Sequence, residues 1–142
     1  MNKLEGPIER AHRRLRTSMA AGALYDLTFA LVNLAAPQAG SWFLEIPLPE
    51  QQVYLRLTGL FLLVLALVYM LPVIHPGEYL GNVVVAIVAR TAGAIFLIAA
   101  ALWFAQPVAF LALGVVDLIF ALLHLVFLSQ ATGGDPLRPY TG

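Results

Sequence analysis

Cysteine is absent from the 142 residues, which excludes disulfides, thiolate metal sites and thiol redox chemistry within the chain. The absence assigns no redox compartment. Charge is also scarce, at 11% of residues against 61% hydrophobic, and the mean hydropathy is +0.84. Soluble domains carry roughly 25% charged residues, so this composition indicates a polytopic membrane protein. The formal net charge of zero hides an uneven placement. Lys3, Arg10, Arg13, Arg14 and Arg16 crowd the N-terminus, while Glu45, Glu50 and Glu78 lie between apolar runs. No GxSxG, HExxH, P-loop or Rossmann pattern occurs, and no lysine inside an apolar run offers a Schiff-base amine. Catalytic residues, cofactors and metals therefore have no support in the sequence. A basic N-terminus alone does not make a nucleic-acid interface.

What is present is four apolar runs, at residues 17–36, 53–73, 81–104 and 108–128, each long enough to cross a bilayer. Before them, residues 1–16 form a basic segment in which Pro7, Ile8, Ala11 and Leu15 predict a short helix lying on the membrane surface. Its charges act as a topogenic signal that holds this end in the cytoplasm. A cleaved signal peptide ending at Leu34-Ala35-Ala36 is the alternative, but the run is long for one and carries Asp26 at its centre, which favours a retained span. Pro37, Gly40, Pro47 and Pro49 speak against a regular element through most of residues 37–52, where Trp42-Phe43-Leu44 suits the membrane interface. His75-Pro76-Gly77-Glu78 forms a turn, Gln106-Pro107 a very short connection, and residues 129–142 a flexible cytoplasmic tail. The expected fold is a single-domain, all-α, four-helix transmembrane bundle in a bacterial inner membrane. Both termini face the cytoplasm, and the long first loop, without Lys or Arg, faces out.

Polar residues inside the runs are the candidate sites. At 1.5 Å per residue across a core about 30 Å thick, Asp26 and Arg90 lie about 13 Å and Asp117 about 15 Å from the inner edge. These three define a midplane set. Asn33 and Arg56, at about 24 and 25 Å, define an outer polar layer, and His124 falls near the inner edge. Two stretches repeat the order Asp-Leu-x-Phe-Ala-Leu-x-polar-Leu, at residues 26–34 and 117–125. Helical spacing puts Asp26, Ala30 and Asn33 on one face, and Asp117, Ala121 and His124 on another, so each polar stripe can face other helices. Gly22, four residues before Asp26, and Gly93, four after Ala89, allow close helix approach beside the charges. Arg56-x-x-Gly59 and Arg90-x-x-Gly93 pair the second run with the third. The first resembles the fourth, an order that a simple tandem duplication does not produce.

Two explanations compete for the midplane set. An ion pair can fix helix register. Alternatively, two carboxylates sharing one arginine leave a proton that can come and go, or a place for a polar headgroup or cation. His124 reads as a hydrogen-bonded packing residue, since haem held by two histidines needs a second ligand from another subunit.

Leu34-Ala35-Ala36-Pro37 at the end of the first run, Tyr54-Leu55-Arg56-Leu57-Thr58-Gly59 and Val88-Ala89-Arg90-Thr91-Ala92-Gly93 together make residues 22–128 resemble the DoxX-like group of small bacterial four-helix membrane proteins. The resemblance implies the fold, and implies that Asp117 corresponds to the acidic residue such proteins often carry in the last helix. It implies no single activity, because the group is functionally diverse. The expected role is a structural or accessory membrane subunit, whose charges pack within the chain or against a membrane-protein partner or second copy. The alternatives are a binding protein or carrier for a small hydrophobic or lipid-like ligand, and a membrane enzyme or proton-coupled component using the two aspartates. A cavity reaching Asp26 and Asp117 discriminates between them: dry, fully paired charges favour the accessory subunit.

Overall fold

A computed structural model describes residues 6–135. Met1–Glu5 of the basic segment and residues 136–142 of the expected tail lie outside them. The described residues form five helices and no strand: α1 (Pro7–Ala35), α2 (Pro37–Leu44), α3 (Val53–Ile74), α4 (Leu80–Trp103) and α5 (Val108–Ala131). Four of them, all but α2, are long and apolar enough to cross a membrane. Their outward faces carry exposed Leu31, Phe61, Leu67, Val88, Ile95 and Leu122. An apolar surface so extensive suits lipid and not water, as in a multi-pass membrane protein.

Three local differences from the sequence expectation have identifiable causes. The surface helix expected before residue 17 is instead continuous with the first span. Gly6 caps it, Glu9 Oε2 accepts a hydrogen bond from the Gly6 N–H at 3.1 Å, and Pro7 occupies the first turn. No breaker follows Arg16, so the helix runs on for 29 residues, about 43 Å. Ala11 and Leu15 are buried while Arg10, Arg13, Arg14 and Arg16 are exposed. Secondly, the first loop contains α2, because Pro37 at a helix start is a helix former and not a breaker. The helix ends at Glu45 in the left-handed region (φ 56°), where the Ser41 hydroxyl donates to the Ile46 carbonyl. Thirdly, residues 129–131, assigned to the tail, complete α5, and Thr132 is buried beyond them.

α1 packs closely on α3, and α4 on α5; α1 also meets α5, whereas α3 and α4 touch sparingly. Glycines set these approaches. A Cβ at Gly59 of α3 would stand 3.0 Å from the Ala30 carbonyl oxygen, Asn33 Cβ and Leu34 Cγ of α1. One at Gly114 of α5 would stand 2.8 Å from Ile98 Cγ1 of α4. At the α3–α4 seam, Pro72 inside α3 lacks the N–H that the Val68 carbonyl would otherwise accept. Asn82 Nδ2 of α4 donates to that carbonyl at 3.4 Å.

The two ends of the molecule are packed differently. Leu15, Met19 and Ala23 of α1 form a dense core with Tyr69 and Val73 of α3, Val83 and Ala86 of α4, and Leu128 of α5. Beyond Asp26, Arg90 and Asp117, toward α2, the interior is hollow.

Candidate functional site: an arginine across the interior

Arg90 sits midway along α4 and is 4% exposed. Its guanidinium reaches away from α4 and meets all three other long helices. On α1, Nη2 lies 2.8 Å from Asp26 Oδ1 and donates to the Gly22 carbonyl at 2.8 Å. On α5, Nη1 donates to Asp117 Oδ1. The guanidinium carbon lies 5.0 Å from the ring centres of Tyr25 on α1 and Phe120 on α5, and 5.6 Å from Tyr69 on α3. Ion pairing and ring faces together stabilise a charge that bare hydrocarbon would reject. The planar fork of arginine makes this possible, because lysine cannot address two carboxylates and a carbonyl from fixed directions.

The midplane set therefore comes together as three residues in contact. Asp26 is 3% exposed, and the Asp117 side chain, at 14%, is the more open of the two carboxylates. Each gives one oxygen, Oδ1, to Arg90. Asp117 Oδ2 rests against Gly93, where a Cβ would approach it to 3.1 Å; a larger residue there would displace the carboxylate.

The outer layer does not form as a pair. Asn33 is buried where α1 meets α2 and α3, against Gly40 and Gly59. Arg56 is exposed and makes no ion pair among the described residues. His124 is not an isolated edge residue. It is fully buried, stacked on Phe120 at 5.9 Å, with Cε1 3.3 Å from the point where a Gly22 Cβ would stand. Arg90 Nη2 lies 3.5 Å from that same point, so Gly22 makes room for both side chains. Both ring nitrogens of His124, Ser18 Oγ and Arg90 Nε are buried without a hydrogen-bond partner among the described residues. Ser18 was not singled out in the sequence, though it lies one helical turn before Gly22.

On the hollow side, a cavity of about 380 Å³ opens onto the two carboxylates. Tyr25, Phe29, Phe96 and Phe110 supply aromatic walls, Leu44 and Ile46 from α2 and its following loop close the far end, and Asp26 and Asp117 are the charged residues among the described ones that line it. A smaller cavity of about 150 Å³, between α3 and α4, shares Asp26, Leu62 and Asp117 with the first and also touches Arg90. The charged layer is thus approached from two directions. None of the cavity's apolar wall residues could have been chosen from the sequence, because Leu and Phe at helical spacing read equally as lipid-facing or interior.

No protein-family model matches the chain, and neither does any curated protein or solved structure.

Proposed function

We propose that this protein binds a small, mostly apolar molecule in the cavity above Asp26 and Asp117. The observation that carries the proposal is the cavity itself. A volume of about 380 Å³ falls within the roughly 300–1,000 Å³ typical of small-molecule sites, which combine apolar walls with a few placed polar groups. An accessory subunit needs its charges paired, not accessible, and the 14% exposure of the Asp117 side chain speaks for the binding protein. Sparse packing between α3 and α4, beside the smaller cavity, supports access for the molecule from the lipid.

The accessory reading keeps one observation in its favour, the contacts Arg90 makes with every other long helix. The two roles are compatible, since a site built on a rigid cross-brace is a better site. The surrounding architecture belongs to the same proposal: a four-helix bundle in a bacterial inner membrane, with both termini cytoplasmic. Arg10, Arg13, Arg14 and Arg16 exposed at one end, against Arg56 at the other among exposed Trp42, Tyr54 and Trp103, support that orientation. Placement with the DoxX-like group rests on Leu34-Ala35-Ala36-Pro37 and the motifs around Arg56 and Arg90.

Native mass spectrometry of the protein from mild detergent tests the binding role. Wild type should carry a small molecule that is absent from Leu113→Trp, which fills the cavity from its wall. Wild type and variant both free of small molecules, with a shared partner chain retained, would return the protein to the accessory class.

A further inference from the structure

Resting on the binding role just described, we propose that the occupant is an amphipathic monocation, an ammonium group carried on an apolar body. Charge arithmetic at the cavity floor carries the proposal. Asp26 and Asp117 meet one guanidinium, so with both carboxylates ionised the buried layer holds one negative charge in excess. Uncompensated charge is expensive within a membrane-spanning interior. An anionic headgroup would add to the excess and a neutral one would leave it. A single positive charge cancels it, whether a proton on one carboxylate or the ligand's own, and only the ligand's own also meets the aromatic walls.

The geometry offers that charge a place. Arg90 takes only Oδ1 of each carboxylate, and both residues line the cavity from the side facing away from the dense core. Asp117, the more open carboxylate, is the expected direct partner. The walls fit the same chemistry. Tyr25 and Phe29 stand 5.0 Å apart at the cavity edge, with Phe96 and Phe110 nearby, and aromatic faces attract cations. Tyr25 and Phe120 already do this for Arg90. Among the described residues no basic side chain lines the cavity itself; the nearest positive charge, Arg90, lies behind the two carboxylates.

Three probes with one apolar body separate the possibilities: 4-phenylbutylammonium, 4-phenylbutanol and 4-phenylbutyrate. Each is titrated calorimetrically into the full chain in neutral detergent at pH 7, with Leu113→Trp as the reference for partition into micelles. The ammonium should bind at least about tenfold more tightly than the alcohol, an affinity difference of the size a buried charge partner confers. The carboxylate should not bind. Asp117→Asn leaves one carboxylate for one guanidinium, and should abolish the preference for the ammonium over the alcohol. Equal binding of ammonium and alcohol by wild type would overturn the cation proposal and leave the apolar binding role standing. Binding of none of the three above the reference would overturn both. The wild-type series decides the question even if Asp117→Asn fails to fold.

Discussion

At the scale of the residue, Arg90 governs the interior, because its removal strands two carboxylates together. Breaking a buried pair by deleting one partner costs about 3–5 kcal/mol, so Arg90→Met should lower unfolding stability in detergent by about that amount. Arg90→Lys should fall between Arg90→Met and wild type, since one ammonium replaces a fork that addresses Asp26, Asp117 and the Gly22 carbonyl. Adding Asp26→Asn and Asp117→Asn to Arg90→Met should restore part of the loss. If the triple variant is no more stable than the single, stranded charge is not the cause. The midplane contacts were legible in the sequence because a charge inside an apolar run is rare and helical rise fixes its depth. The Asn33–Arg56 layer failed on the other coordinate: equal depth says nothing about which way a side chain points around its helix. Arg56, near a helix end, needs no partner when its long stem can carry the charge toward the interface. That His124 shares a space with Arg90 was not legible either, since depth along α5 does not reveal that Gly22 makes room for both.

At the scale of the element, the helices are held by two different devices. Glycine brings α1 against α3 and α4 against α5, and there a single methyl group overpacks the interface. Gly114→Ala meets Ile98 Cγ1 at 2.8 Å and backbone atoms of α4 at 3.2 Å, and overpacking typically costs about 1–3 kcal/mol. Thermal unfolding in detergent should register that loss; an unchanged midpoint would show that α4 and α5 separate without strain. The α3–α4 seam uses a hydrogen bond instead. Asn82→Ala removes the donor to the Val68 carbonyl; the site is part-buried, so the loss should lie toward the low end of the about 1–3 kcal/mol that stranding a buried acceptor costs. Pro72→Ala returns a backbone N–H to α3, so Asn82→Ala should cost less in that background. Additive effects in the double-mutant cycle would mean that Asn82 does not stand in for the missing N–H. Pro72 was visible in the sequence as a residue of the last turn, but its partner was not, because the compensating donor lies on another helix. The first helix shows the opposite failure: local pattern was read too literally, and an amphipathic basic stretch was separated from a helix that nothing interrupts.

At the scale of the whole molecule, the charged layer divides a packed half from a hollow one, and the direction in which the hollow half faces decides what can reach it. The cavity lies on the side of α2, the same end as Trp42, Trp103 and the residues around Glu50. The arginines of α1 crowd the opposite end, beside the dense core. Lys and Arg are retained on the cytoplasmic side, so the proposed orientation puts the cavity in the outer half of the bilayer, open to a cation arriving from outside or through the outer leaflet. The absence of native cysteine makes the orientation directly measurable. Glu50→Cys should react with a membrane-impermeant maleimide in intact cells whose outer membrane has been opened, and Glu78→Cys only after the inner membrane is permeabilised. Labelling in the reverse order would invert the molecule. The exposed arginines would then violate the charge rule, and the cavity would face the cytoplasmic leaflet, where anionic lipid already concentrates cations. The binding chemistry would survive that result, but a site gathering cations from outside would become one gathering them from within.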